Sequence, residues 1–523
     1  MIARLALALL MLAGALPALA QPVVSSQAID DVSVSVYRDP DRGEDDMSIG
    51  YLQGFALISE KRTIDLPQGA STVRFDGVAE GMVAVSAIVT GLPGGTVQKN
   101  RDAAILSPAA LVDGTLGNRV TLKRTNPATG AVREVDAIVR TVAWRGLVLQ
   151  TAEGYEALRC SGLPEGLVFG QVPPGLSARP VLSVETYSPE AVRVQVTLTY
   201  LATGFDWSAN YVATMADDGD TMDITAWLTL ANDNGQSFAD ANLNAIAGTL
   251  NIESDFDSLA EAPDGNPLYL ECYPLGSTAD GSDVYDLLPP PSPPPAPMMM
   301  AGAMNENIIV TAARRQEKFA DSEVVTAGQE ELGDLKLYRV PFRSTVAANG
   351  QKQVAFAVKR GVKVEKIYRA TAWPWDEDEN EPLDIELRMK NRESDGLGLP
   401  LPSGGIALFE PAAGEELLVG EAEMRDYPVN ADVKFIIASS PQVLMTNENV
   451  GDEKSGWQGY RVNLTNANDF AVDAEIGLGA TGEWKIRRAK GRIIAKNGMH
   501  VWVVRVPANG SADLSYQLSE IYD

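Results

Sequence analysis

Alternation of apolar and polar positions runs through most of the chain. VSVSVYR (32–38), VRVQVTLTYL (192–201), MDITAWLTL (222–230) and MHVWVVRV (499–506) set β-branched and aromatic residues at every second position or in short runs. That is the period of strands with a buried face. Short turn signals separate them. Asp218-Gly219 stands between NYVATMA (210–216) and MDITAWLTL, and because this dipeptide accepts the positive φ of a tight turn it predicts a β-hairpin. Helical periodicity is scarce: SPAALVDG (107–114) is one short candidate, and no heptads occur. The pattern predicts an all-β protein.

Two echoes point to related β units. Strands end on asparagine in LTLAN (228–232), LRMKN (387–391) and VNLTN (462–466). A glycine turn feeds an alternating strand in LPQGASTVRF (66–75), VAANGQKQVAF (346–356) and VPANGSADLSY (506–516). Asn and Gly tolerate turn geometry in their backbones, and the strands behind them supply an inward face. Their irregular spacing argues against the fixed period of a propeller or solenoid. It fits tandem β-sandwich domains with Ig-like strand order and a Pro-rich loop inserted in the second half. The expected units are an N-terminal β-rich domain over 21–185, a central β region in two parts over 186–285 and 332–429, and a C-terminal Ig-like sandwich over 430–523. An outer-membrane barrel fits poorly, since the strands lack paired aromatic girdles.

The compartment is read from residues 1–20. A short positive start at Met1 to Arg4 precedes the apolar run LALALLMLAGAL (5–16) and the small residues ALA (18–20). This is the layout of a secretory signal peptide cleaved after Ala20, with export to the periplasm as the expectation. No later stretch approaches the ~18 apolar residues of a spanning helix, so no transmembrane anchor is expected. With 70 acidic against 43 basic residues, a formal charge of −27, the surface repels nucleic acid and anionic lipid.

Candidate chemistry is sparse. There are two cysteines, Cys160 in ALRCSGLPEG and Cys272 in LYLECYPLGS, and in an oxidising compartment the pair reads as one disulfide rather than two buried thiols. The single histidine, His500, rules out zinc sites built on several histidines and leaves any nucleophile–His–acid triad dependent on that residue. It lies in GMHVWVV, an alternating strand. No Gly-rich phosphate loop follows a strand, and neither a cofactor nor a metal is expected. WPWDEDENEP (373–382) sets Trp373 and Trp375 beside a run of carboxylates. One reading is a sugar-stacking platform or a weak calcium loop. The reading favoured here is a buried aromatic strand end followed by a solvated loop, in which replacing both tryptophans costs stability. ADDGDTMD (216–223) has calcium-like acid spacing but is accounted for by the hairpin turn.

Three blocks carry a resemblance. TYLATGFDWSANYVATM (199–215), WLTLANDNGQSFADANLNAIAG (227–248) and LGDLKLYRVPFRSTVAANGQKQVAF (332–356) resemble the bacterial DUF4139 family, which includes proteins named for mucoidy inhibitor A. RTIDLPQGASTVRFDGVAEGMVAVSAIV (62–89) is similar to that family's usual N-terminal region, although the coiled coil that many relatives carry between the two regions is missing. The resemblance implies an exported β-rich protein associated with the cell envelope and supplies no catalytic or ligand residues.

Residues 286–331 stand apart. Seven prolines lie between Pro289 and Pro297, followed by methionines at 298–300 and 304. Such a segment favours extended polyproline II and builds no core. Within it NIIVTAARRQE (307–317) resembles a short stretch near the plug of TonB-dependent receptors, which offers strand addition to a partner as an alternative to a plain linker. The functional expectation is an exported non-enzymatic envelope protein that binds or assembles with an envelope protein or polysaccharide. The alternative is a carboxylate-based hydrolase acting on envelope polysaccharide.

Overall fold

The computed structural model describes residues 21–260, with breaks at 43–44, 46, 103–105, 144–145, 159–162, 174–175 and 249, then Leu268, and residues 326–521 with breaks at 334, 413 and 452–455. The chain is all-β and of sandwich type, as the alternation predicts. The hairpin at Asp218-Gly219 joins Phe205–Met215 to Thr221–Asn232 in register from Phe205↔Asn232 to Met215↔Met222. The short helix Pro108–Gly114 is also where the sequence puts it, with Ser107 accepting a hydrogen bond from the Ala110 N–H as N-cap and Pro at the first position. Among the described residues no helix is long and apolar enough to cross a membrane.

One continuous core runs from Val32 to Ile437. At one end a four-stranded sheet (Val23–Ser26, Gly69–Asp76, Val181–Ser188, Gln98–Asp102) turns Val73, Phe75, Leu182 and Val184 inward. It packs on an eight-stranded sheet built around Asp31–Tyr37, Phe55–Leu66 and Val192–Thr203, whose alternate residues Val34, Ile58, Ile64 and Val196 are buried. At the other end the same sheet, through Phe238–Ala247 and Leu335–Arg339, meets a five-stranded sheet. The contact there is aromatic: Trp207 lies 6.2 Å from Tyr338, and Tyr338 lies 5.3 Å edge-on to Phe356. Edge and tilted pairs of this kind suit the ring quadrupole.

Between strands Gln98–Asp102 and Val181–Ser188 the chain leaves the first sandwich and builds a separate five-stranded sheet, with its own core of Val112, Leu122, Val139 and Leu149. Leu268, far downstream in sequence, packs on that same core.

The C-terminal sheet has nine strands and curls around a second core, in which Val443, Met445 and Leu464 meet Val472, Trp502 and Leu518. Two of its strands serve both cores. In the 18-residue strand Asp432–Asn449, Val433, Phe435 and Ile437 enter the first core while Val443 and Met445 enter the second. Its neighbour Asp378–Lys390 does the same with Leu387 and Met389 on one side and Leu383 on the other. Register shifts at Pro382/Leu383 and Ile385/Glu386 mark the crossover, and Ser440 Oγ accepts the N–H groups of Gln442 and Val443 where the long strand bends. A bulge re-aims the side chains that follow it, which lets one strand change cores.

The asparagine echo has a cause that turn preference does not supply. Asn232, Asn391 and Asn466 are all buried, and each spends its side-chain amide on backbone. Their Nδ2 groups donate to Gln236 O and Ala347 O, to Leu399 O and Pro428 O, and to Phe470 O and Pro507 O, respectively. Two residues beyond each distant carbonyl stands an asparagine at positive φ: Asn349 (45°), Asn430 (70°) and Asn509 (47°). The glycine-turn reading holds for LPQGASTVRF, where Gly69 has φ 99°, and is corrected for the other two segments. There the left-handed backbone belongs to Asn349 and Asn509, while an added Cβ at Gly350 or Gly510 would lie 3.1 Å from the Ala347 side chain or 3.0 Å from that of Pro507, tighter than ordinary contact. The third member of the set is the turn at Pro428 to Asn430, not LPQGASTVRF.

Candidate functional site

The aromatic pair lies where strand Glu365–Thr371 leaves the C-terminal sheet. Ala372 N–H still bonds Gly477 O at 2.8 Å, and the chain then closes a turn in which Asp376 N–H reaches Trp373 O at 3.2 Å. Pro374 occupies the second position of that turn, which its fixed φ suits. Asn447, buried beneath, donates from Nδ2 to Trp373 O (3.1 Å) and to Asp376 O (2.8 Å), so both ends of the turn are pinned by one side chain. The two indoles stack with centroids 4.9 Å apart and planes 16° from parallel.

The expected buried strand end is only half met. Trp373 is half-buried and Pro374 is buried, but Trp375 is 62 % exposed. The reason is the turn: with the backbone reversed, strand alternation no longer decides which way the second ring points. The stack protects one face of Trp375 and leaves the remainder to solvent. Exposed carboxylates follow at Asp376, Glu377 and Glu379.

Arg369, Ala370 and Thr371 form the floor between two shallow depressions on this side of the sheet. The first takes in Trp373, Asp376, Glu381, Pro382 and Asp384. The second is a ladder of charges. Glu386, 3 % exposed in its side chain, receives Arg369 Nη1 and Arg388 Nε, both at 2.5 Å. Arg388 then forks onto Glu475 at 2.8 and 2.7 Å, and Lys496 Nζ completes that carboxylate's shell at 2.9 and 2.7 Å. Arg388 holds the Glu475 carboxyl down to about 2 against partial burial, with help from Lys496. Burial opposes ionisation of Glu386, yet Arg388 and Arg369 keep its pKa below the ordinary value. Both glutamates are thus fixed as carboxylates that accept hydrogen bonds and have no proton to give.

The other residues singled out by sequence fall elsewhere. Cys160 and Cys272 lie outside the described residues, as does NIIVTAARRQE. His500 is half-buried with Nε2 2.9 Å from Trp484 O. Asp218 accepts from the N–H groups of Asp220 and Thr221 inside the hairpin turn, which accounts for its acid spacing without an ion. Among the described residues no three metal-ligating side chains converge.

Sequence reasoning missed two buried ion pairs. Arg62 and Glu60 have no exposed side-chain surface and meet at 2.6 Å between the first two sheets. Asp206 and Arg42 meet at 2.6 Å with side chains 3 % and 6 % exposed. No alternation signal marks them, because a charge at an inward position reads as a defect in the pattern. Neither pair reaches the surface, so neither competes with the Trp373–Trp375 turn as a binding site. No protein-family profile and no curated protein matches this chain.

Proposed function

We propose that the protein is an exported, non-enzymatic binding or assembly module of the cell envelope, and that the Trp373–Trp375 turn and its groove form the contact surface. The carrying observation is Trp375: a large apolar ring, 62 % exposed, on a turn fixed by Asn447 and not on a loose loop. Holding such a ring in water has no benefit to folding, whereas a rigid, exposed aromatic with polar groups around it suits a flat partner such as a sugar ring. Export and the envelope setting rest on residues 1–20 and on the family resemblance.

The hydrolase alternative needs one carboxyl whose pKa is raised enough to donate a proton to the leaving group. The groove's Glu386 and Glu475 are shifted the opposite way, and the carboxyl raised among the described residues, Asp206, is buried in the five-stranded sheet and lines neither depression. This favours binding over cleavage. The test is Trp373→Ala/Trp375→Ala. The double variant should lose retention on immobilised envelope polysaccharide while its unfolding free energy drops by no more than about 1–2 kcal/mol, since only the half-buried Trp373 contributes to packing. Retention unchanged beside a collapse in stability would return the pair to a purely structural role.

A further inference from the structure

Resting on the reading above, we infer that the Trp375 lip is selective for an amino-sugar chain bearing free ammonium groups. The charge pattern along the groove carries this. Of the charged residues lining the depression at the tryptophans, Asp376, Glu381 and Asp384 are acidic and only Arg369 is basic. Arg369 is already engaged with Glu386 at 2.5 Å, so it offers little to an anionic ligand. Glu377 just after the turn and Glu379 at the start of strand Asp378–Lys390 add exposed carboxylates, and the chain as a whole carries a formal charge of −27. An anionic glycan would meet repulsion here from near and far.

At the other end Arg388, Lys434 and Lys496 outnumber Glu386 and Glu475, so the second depression carries more basic than acidic side chains. A cationic ligand is therefore drawn to the tryptophan end and turned away from the second depression, which gives the groove a direction. At the lip the two attractions converge: the open face of an indole attracts a cation through its quadrupole, and exposed carboxylates at Asp376 and Glu377 follow Trp375 directly in the chain. A sugar ring meets the indole with its C–H face, and an equatorial ammonium on that ring reaches the carboxylates at the edge. A neutral N-acetylated sugar keeps the stacking and loses the charge.

Calorimetric titration of the mature chain with a fully deacetylated glucosamine hexamer, its fully N-acetylated counterpart and a hexalysine peptide decides the matter, at a pH where the glucosamine amines are protonated. The deacetylated hexamer should bind at least about tenfold more tightly than the acetylated one. That preference should shrink in high salt, vanish in Glu377→Gln/Glu379→Gln, and binding itself should be lost in Trp375→Ala. Equal affinity for the two hexamers would overturn the charge selectivity and leave the binding surface standing. Absence of binding by both would remove the binding reading as well. Hexalysine binding as tightly as the glucosamine hexamer would overturn the assignment to a sugar.

Discussion

Asp206 shows how much a single residue of the FDW segment does. Its Oδ1 accepts the N–H groups of Asp39 and Trp207 at 3.1 and 2.7 Å, and Oδ2 accepts Arg42 Nη1 at 2.6 Å, tying the 38–42 loop to the five-stranded sheet. Burial nevertheless pushes its carboxyl up to about 6, against the pull of Arg42 and the two N–H donors. An acid whose pKa is higher folded than unfolded binds its proton more tightly when folded. Its favourable contribution is complete below the unfolded value of 3.8 and is lost as pH rises through about 6. The shift corresponds to roughly 3 kcal/mol at most. Glu475, held down to about 2, works in the reverse sense in a lower window, losing stability as pH falls from its ordinary value of 4.5 towards about 2. Urea unfolding of wild type and Asp206→Asn at several pH values should separate the two. The wild type should gain stability relative to the variant between pH 7 and 4, and parallel curves would refute the assignment. The buried Glu60–Arg62 pair makes the same point about legibility. In FALISEKRTIDL (55–66) the inward positions include Ile58, Glu60, Arg62 and Ile64, so the alternation is intact only if charge is allowed inside. It is allowed because Arg62 Nη1 also donates to Ser26 O and Asp76 O at 2.7 and 2.9 Å, and Glu60 receives Tyr200 Oη at 2.7 Å. None of those partners is near in sequence, apart from the neighbouring strand.

At the level of elements, the strand-ending asparagines were visible as a repeat but their work was not. A terminal Asn reads as a turn former, and its partners in each copy include a carbonyl 37 or more residues away: Pro428 for Asn391, Pro507 for Asn466, Ala347 for Asn232. The two explanations separate by mutation. If backbone tolerance mattered, Asn466→Gly would be silent, since glycine adopts any turn geometry. If the side chain is the pin, Asn466→Gly and Asn466→Ala should destabilise alike, by about 1–3 kcal/mol, because two carbonyls and the Asn468 N–H lose their partner. Denaturant midpoints of the two variants are the measurement, and a glycine variant at wild-type stability would sink the side-chain account. Elements set by local rules were legible throughout: the Asp218-Gly219 hairpin, the Ser107-capped helix and the alternating strands. The Trp373–Trp375 turn was half legible. Its composition stood out, but spacing two apart suggested an extended strand, and only the reversal at Pro374 together with Asn447 from a distant strand exposes Trp375.

On the scale of the whole molecule, the chain is sewn together across its Pro-rich segment. Covalent closure is expected only upstream of that segment, in the Cys160–Cys272 pair. Leu158 belongs to the core of the unit inserted after residue 102, and Leu268 packs on that core. Cys160 and Cys272 follow these residues by two and four positions in the chain. Peptide mapping without reductant should recover the two cysteines joined, and two alkylatable thiols after denaturation would end that expectation. The stitches that cross the Pro-rich segment are strand pairings and do not depend on sulfur. Thr221–Asn232 pairs with Gly350–Lys363, Phe238–Ala247 with Leu335–Arg339, and Phe205–Met215 runs parallel to Gly404–Ala412. Each pair joins a strand before residue 260 to one after 328, and the first core draws from both sides. The family-like blocks on either side of 286–331 hinted at this arrangement, whereas the strands that serve two cores left no trace in sequence, because a bulge looks like ordinary polar interruption. A site-specific protease sequence placed at residue 300 gives the decisive experiment. After cutting, the two fragments should co-elute in native gel filtration and unfold in one transition, since separating them would expose an interface resembling a domain cut in half. They should part only in denaturant. Fragments that separate in native buffer would mean that the halves fold as independent bodies and that the shared sheets contribute little to holding them together.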